Sequence, residues 1–259
     1  MTEEKWKTAI TEIEPNKIKL RGYPLNELMG NISYAEAAYL ALRGELPTPE
    51  VGKLMDALLV SSIDHGVTPP SALAAINSAS TGAPLNAAVA SGILAINKFH
   101  GGAIEGCMEL LLAGKSQVDS GTSVQETAKN LVEEYRSAKK RMSGFGHRIH
   151  TNDPRAERLF ELAEEAGQSG TFIELMRSIG TELETSAGKK LPINVDGAIA
   201  AVLCELDFWT NLANAFFIIA RVPGLVAHAA EEQERQRPMR KIDPTNHIYD
   251  GPSERHLGD

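Results

Sequence analysis

Residues 86–99 read NAAVASGILAINKF. Apolar side chains fall on nearly every side of the helix this stretch would form, so it is expected to be a central helix buried all round. Such a helix needs other helices about it. Downstream it delivers His100-Gly101-Gly102 at its C-terminal end. Upstream, residues 68–75 begin another helix. Before that, Val51, Leu54, Met55, Leu58 and Leu59 recur at helical spacing behind Thr48-Pro49. Ser33 with Glu36 makes a capping box, and Gly44 stops that helix. Residues 1–30 are the least regular, with a short strand at 18–20 and a turn at Arg21-Gly22-Tyr23-Pro24.

The same periodicity continues toward the C-terminus. Residues 103–113 read as a helix stopped by Gly114, and residues 115–121 as a polar boundary. Ser123 with Glu126 opens an amphipathic helix that ends in Lys139-Lys140-Arg141. Asp153-Pro154 opens a helix closed by Gly167, and Thr171 with Glu174 caps the next. After Lys189-Lys190-Leu191-Pro192, a helix starts at Asn194-Val195-Asp196-Gly197. Residues 211–221 and 225–235 are expected as two helices either side of Val222-Pro223-Gly224. From Arg237 the chain is polar, an arm over the surface or onto a partner. The expected fold class is therefore all-α, with roughly nine to eleven helices of ordinary length.

Composition agrees. The 259 residues are 42% hydrophobic and 23% charged, with aromatics at 5%, which favours helix over sheet. A net charge of −8 argues against a nucleic-acid or acidic-membrane partner, while leaving room for a local basic pocket that takes a small anion. Cys107 and Cys204 sit in apolar helical patterns and read as core residues of a reducing compartment. The opening MTEEKWKT lacks the apolar core of a signal peptide. The longest apolar run, residues 216–230, is interrupted by Arg221 and Pro223 and is too short and broken to span a bilayer. A cytoplasmic location is expected.

Four places put an ionisable residue beside glycine at a helix boundary: Asp64-His65-Gly66, His100-Gly101-Gly102, Gly146-His147-Arg148 and Asp196-Gly197. Helix ends are where side chains and bare backbone groups can meet a ligand. The richest is 144–155, GFGHRIHTNDPR: two glycines around Phe145, a titratable His147, and Arg155 on the first turn of a helix, a seat for an anion. Singly, each histidine reads first as a cap or a satisfied surface group and Asp196 first as an N-cap, while 144–155 is equally a glycine turn before a capped helix. Metal binding is disfavoured, because the spacings are long and no HxH or HExxH pair exists. A carboxylate that moves a proton at carbon beside a thioester, imidazoles that bond the enolate, and arginines that grip carboxylates suit the set better.

These residues resemble the citrate synthase superfamily. Residues 144–155 are similar to its GxGH…DPR signature. Residues 191–196, LPINVD, are similar to its PNVD segment, with Ile193 standing between the proline and the asparagine. His100-Gly101-Gly102-Ala103 resembles its histidine turn, and Asp64-His65-Gly66 its substrate histidine. RGYP at 21–24, GELPT at 44–48, ARVPGLVAH at 220–228 and Arg237-Pro238 resemble further motifs, in order, over about residues 20–250. The chain is considerably shorter than a standard citrate synthase, and in this it looks like the free-standing citryl-CoA lyases and the corresponding module of ATP-citrate lyase.

The resemblance implies a large helical domain (1–108 and 211–259) and a small one (109–210) that close over a cleft. It implies cleavage of citryl-CoA to acetyl-CoA and oxaloacetate, with condensation of an acyl-CoA and a 2-oxoacid as the alternative reaction and an acyl-CoA-binding subunit as the non-enzyme alternative. Asp196 would exchange the proton at the acetyl carbon, His100 would bond the enolate oxygen, and His147 would serve the carbonyl or hydroxyl at the breaking bond. His65, Arg155, Arg221 and Arg237 would hold substrate carboxylates, Arg237 from the other subunit of a homodimer or of a larger assembly of dimers. Coenzyme A, a substrate rather than a resident cofactor, would lie near Gly144, Gly146, Lys189 and Lys190.

Overall fold

The computed structural model describes residues 6–146, 152–187 and 191–239. They form eleven α-helices and one small sheet. The sheet holds β1 (Thr11–Glu14), β2 (Lys17–Leu20) and β3 (Tyr23–Pro24), antiparallel in that order. Asn16 takes the left-handed conformation at the hairpin, as asparagine readily does. Arg21 and Gly22 turn the chain straight into β3, so half of the expected turn is strand.

After α1 (Leu25–Leu28) comes α2 (Tyr34–Arg43), whose capping box of Ser33 and Glu36 is present and whose end is Gly44 at a φ of 91°. Then follow α3 (Pro49–Ser61), α4 (Pro70–Ser80), α5 (Leu85–Leu94), α6 (Ala103–Asp119), α7 (Val124–Ser137), α8 (Pro154–Glu165), α9 (Thr171–Ala187), α10 (Val195–Glu205) and α11 (Ala213–Arg235). One continuous core runs from Leu54 and Leu58 on α3, through Leu111 on α6 and Phe160 on α8, to Leu175 on α9, Ile199 on α10 and Phe216 on α11.

The central helix is α10, not α5. Val195 and every residue from Gly197 to Cys204 are buried, wrapped by α6, α8 and α9. On α5 only Ala88 and Gly92 are buried, and among the described residues the helix packs chiefly on α4 and α11. An added Cβ at Gly92 would stand 2.9 Å from the carbonyl oxygen of Ser71 and 3.0 Å from Leu225, so this glycine permits the close contact. Apolar content marks both helices as core material; it does not say how many neighbours each finds within the chain.

Three boundaries differ from expectation for definite reasons. Helix α6 runs through Gly114 to Asp119, because Gly114 is buried against Leu175 and Leu131, where a side chain would clash. Helix α9 is capped from a distance: Glu205 Oε1 accepts the N–H groups of Gly170 (2.9 Å), Phe172 (2.9 Å) and Ile173 (3.0 Å). Helix α11 is one helix that passes through Pro223. An internal proline disfavours a helix by about 3 kcal/mol, and burial of Arg221, Gly224 and Leu225 around it opposes that penalty. By length and composition the stretch Thr210–Arg235 is long and apolar enough to cross a membrane, against the expectation of a run too short and broken to do so, and 44% of its most apolar window is buried inside the chain.

Candidate active site

Five structural boundaries converge on one cavity of about 470 Å³. The α3–α4 loop contributes His65 and Thr68, the turn before α6 contributes His100, the glycine loop contributes Gly146, and the first turns of α8 and α10 contribute Arg155, Asn194 and Asp196. Helix α11 adds Phe217 and Arg221.

His100 is set by a closed turn. Asn97 and His100 exchange backbone hydrogen bonds of 2.8 Å in both directions, and Gly102 N–H adds a third to Asn97 at 3.1 Å. Gly101 has a φ of 85°, and its missing Cβ would press on Ile96 and Phe217. The His100 ring stands edge-on to Phe217, with Nε2 2.8 Å from the hydroxyl of the fully buried Ser71. Burial, and then the Arg221 cation, hold its pKa below the ordinary histidine value, so the ring is neutral near pH 7.

Asp196 is free of capping duty because Asn194 performs it. Asn194 Oδ1 accepts Gly197 N–H at 3.1 Å, and Nδ2 donates to the carbonyl of Gly146 at 2.9 Å. Asp196 therefore sits within the first turn of α10, on the cavity wall. Burial raises its carboxyl above the usual range, against the pull of Arg155 and Arg221. The glycine loop reaches it by pairing with residues 192–194: Gly146 N–H donates to Pro192 (2.7 Å) and Asn194 N–H to Gly144 (3.0 Å). A Cβ on Gly144 would stand 2.9 Å from Gly197 Cα. Gly144 is thus a buried packing residue and Gly146 the one that lines the cavity.

The two arginines differ. Arg221 is only 3% exposed; its Nε donates to Ser62 O at 2.9 Å, and the guanidinium lies 4.7 Å over the Phe217 ring. Among the described residues its buried Nη1 has no hydrogen-bond partner. A buried cationic donor without a partner is costly and suits an anionic ligand. Arg155 is already engaged, donating to both oxygens of Asp153 and to Ser61 O. His65 lines the cavity beside Asp64, whose carboxylate accepts from Gly66 N–H (2.8 Å) and pairs with His228 (2.9 Å).

Arg237 is exposed beyond α11 and does not line the cavity of its own chain. His147, Lys189 and Lys190 lie outside the described residues. Among the described residues no group of His, Cys, Asp and Glu could hold a metal ion. Two residues at the site were not singled out as candidates: Ser71, which carries no motif and is visible only through its contact with His100, and Asn194, which lies in the LPINVD segment but whose cap role competes in the sequence with Asp196.

Residues 47–242 match the family model "Citrate synthase, C-terminal domain". The chain belongs to the citrate synthase family. It is 28% identical over 253 residues to the peroxisomal citrate synthase 1 of Arabidopsis thaliana, covering 92% of this chain and 49% of that protein. It is 31% identical over 232 residues to the citrate synthase of Thermoplasma acidophilum, covering 86% and 57%. The chain thus spans about half the length of the curated relatives it matches. Among solved structures, citryl-CoA lyase from Hydrogenobacter thermophilus superposes with a TM-score of 0.88 at 43% identity, over 97% of each chain. ATP citrate lyase from Methanothrix soehngenii, solved with citrate and coenzyme A, shares the fold at a TM-score of 0.84 and 20% identity, over 98% of this chain and 43% of that one.

Proposed function

We propose that this chain is a carbon–carbon lyase that cleaves citryl-CoA to acetyl-CoA and oxaloacetate. The observation that carries the reading is the cavity's own chemistry: the unpartnered Nη1 of a buried arginine, beside a carboxyl of raised pKa and a neutral imidazole. The full-length likeness to the Hydrogenobacter thermophilus lyase supports it.

Arg221, with Arg155 and His65, holds the carboxylates of the citryl group. His147 takes the proton from the tertiary hydroxyl, and the oxygen's electron pair forms the ketone of oxaloacetate as the carbon–carbon bond breaks. The electrons of that bond pass into the thioester enolate, whose oxygen accepts a hydrogen bond from His100. With the Ser71 hydroxyl donating to Nε2, the neutral ring carries its proton on Nδ1, the nitrogen left to donate. Protonated Asp196 gives its proton to the enolate carbon and completes acetyl-CoA. The raised pKa favours the protonated form that this step uses.

The rest of the reading extends from the same resemblance. The small domain, 109–210, closes on the large one, and coenzyme A runs along Gly146, Lys189 and Lys190, with the buried Gly144 shaping the loop behind them. No resident cofactor or metal takes part. The acidic chain with two buried thiols works in the cytoplasm, without nucleic acid or membrane. Two copies pair through α4 and α5, whose Leu73, Leu85 and Leu94 are exposed, and Arg237 completes the cavity of the neighbouring copy.

The curated relatives are named citrate synthases, and the same residues serve condensation by microscopic reversibility. The test offers purified protein citryl-CoA, citrate with coenzyme A, and acetyl-CoA with oxaloacetate, and follows thioester and oxaloacetate. Fast cleavage of citryl-CoA is expected, with slow condensation. Rapid citrate formation without preference for citryl-CoA favours the synthase alternative, and binding of coenzyme A without turnover of any thioester favours the non-enzyme one.

A further inference from the structure

Asp153 reads in the sequence as a helix cap, and as a cap it is over-equipped. Its side chain is fully buried and takes four hydrogen bonds from two different helices. Oδ1 accepts Arg155 N–H at 3.1 Å, the capping bond, and Arg155 Nε at 3.0 Å. Oδ2 accepts Arg155 Nη2 at 2.9 Å and, across the fold, the backbone N–H of Val195 at 3.1 Å. Val195 is the first residue of α10 and directly precedes Asp196. One carboxylate therefore fixes both the guanidinium of a cavity arginine and the backbone that aims the cavity's carboxyl.

The electrostatics fit this geometry. Burial alone would raise the Asp153 carboxyl, but the Arg155 side chain and the two backbone donors outweigh it and hold it below the ordinary value. Asp153 stays charged, and a fork-to-fork pair with arginine is rigid as well as strong. The pair leaves Arg155 Nη1, which among the described residues donates to Ser61 O at 3.3 Å, as the arm nearest to being free for substrate. A plain N-cap needs one acceptor, and asparagine supplies that about as well as aspartate.

We propose that Asp153 is a positioning residue that locks Arg155 and the first turn of α10 into one unit, so that the substrate-carboxylate grip and the proton-carrying Asp196 keep a fixed separation. This rests on the lyase reading for its kinetic consequences, but not for its geometry.

The test uses Asp153→Asn, Arg155→Gln and the double variant in the full-length protein, with citryl-CoA cleavage by wild type as the reference. A displacement of about 1 Å can lower turnover about 10²-fold, so Asp153→Asn is expected to lose on that order in kcat/KM although its helix cap survives. Because part of the effect of Asp153 passes through Arg155, the double variant should lose clearly less than the product of the two single losses. Asp153→Asn within about threefold of wild type, or losses that simply multiply in the double variant, reduce Asp153 to a cap and overturn the proposal. Amide hydrogen exchange tests the lock without activity: Val195 should lose protection in Asp153→Ala, and unchanged protection overturns the lock. Wild type that cleaves no citryl-CoA removes the functional reading alone, and the exchange result then decides the lock.

Discussion

Helices α5 and α10 have ten and eleven residues and are both made almost wholly of small and aliphatic side chains. One is the most enclosed helix of the protein; the other leaves Leu94 at 77% exposure and Leu85 at 41%. The difference lies in what surrounds them. Helix α10 is flanked by α6, α8 and α9, so its apolar surface is removed from water within one chain; of its two acidic residues, Glu205 at the C-terminal end caps α9 and Asp196 stands on the cavity wall. Among the described residues helix α5 packs chiefly on α4 and α11, which leaves Leu85 and Leu94 exposed. The exposed Leu85 and Leu94 are the ground for the proposed pairing of two copies through α5, and the two helices contrast an apolar surface covered on folding with one left bare in the single chain.

The largest expected effect lies at the acidic residue of α10 that faces the cavity, Asp196. Asp196→Asn should lower citryl-CoA cleavage, and exchange of acetyl-CoA methyl protons with deuterated water, by about 10²–10⁴-fold. The fold should not suffer, and the sign follows from burial. The folded state holds the Asp196 proton more tightly than the unfolded chain, so stability falls as pH rises from about 4 through the raised pKa. At pH 7 the variant should melt no lower than wild type, and the gap should close toward pH 4. Wild-type-like turnover in the folded variant would place the proton carrier elsewhere.

Next comes the burial contrast itself. Leu203 on α10 is fully buried, so Leu203→Ala should destabilise by about 2–5 kcal/mol. Leu94→Ala, at dilutions where the chain is monomeric, should change stability by less than about 0.5 kcal/mol. Denaturant unfolding of both variants measures the ratio. Equal losses in dilute solution would mean that α5 is covered by its own chain and that the contrast is false.

The smallest effect on the single chain, though not on assembly, should follow charge on α5. Leu85→Lys with Leu94→Glu leaves the buried Ala88 and Gly92 untouched, so circular dichroism should be unchanged. Sedimentation should shift toward monomer, with the self-association constant weakened about tenfold or more. An unaltered assembly would move the interface off α5, and with it the route by which Arg237 reaches a neighbouring cavity.

Much was legible in the chain because the physics there is local. The caps at Ser33, Thr48 and Ser123, the stop at Gly44 and the opening of α8 at Asp153-Pro154 are satisfied by residues one to four positions away. The polar motifs could be picked out for the same reason, since an ionisable residue beside glycine at a helix end is visible without knowing its partner. His65, His100, Arg155, Asp196 and Arg221 accordingly line one cavity. The tertiary structure alone decided the rest. It made α10 rather than α5 the centre, kept α6 running past Gly114 and α11 past Pro223, and capped α9 with Glu205 from another helix. It also gave the cap of α10 to Asn194 and turned Asp153 from a cap into a bridge. Each of these turns on which surfaces meet at long sequence separation, and close packing and buried polar pairing are properties of that meeting. Composition and periodicity report which surfaces are apolar, and only the packed chain determines which of them find a partner.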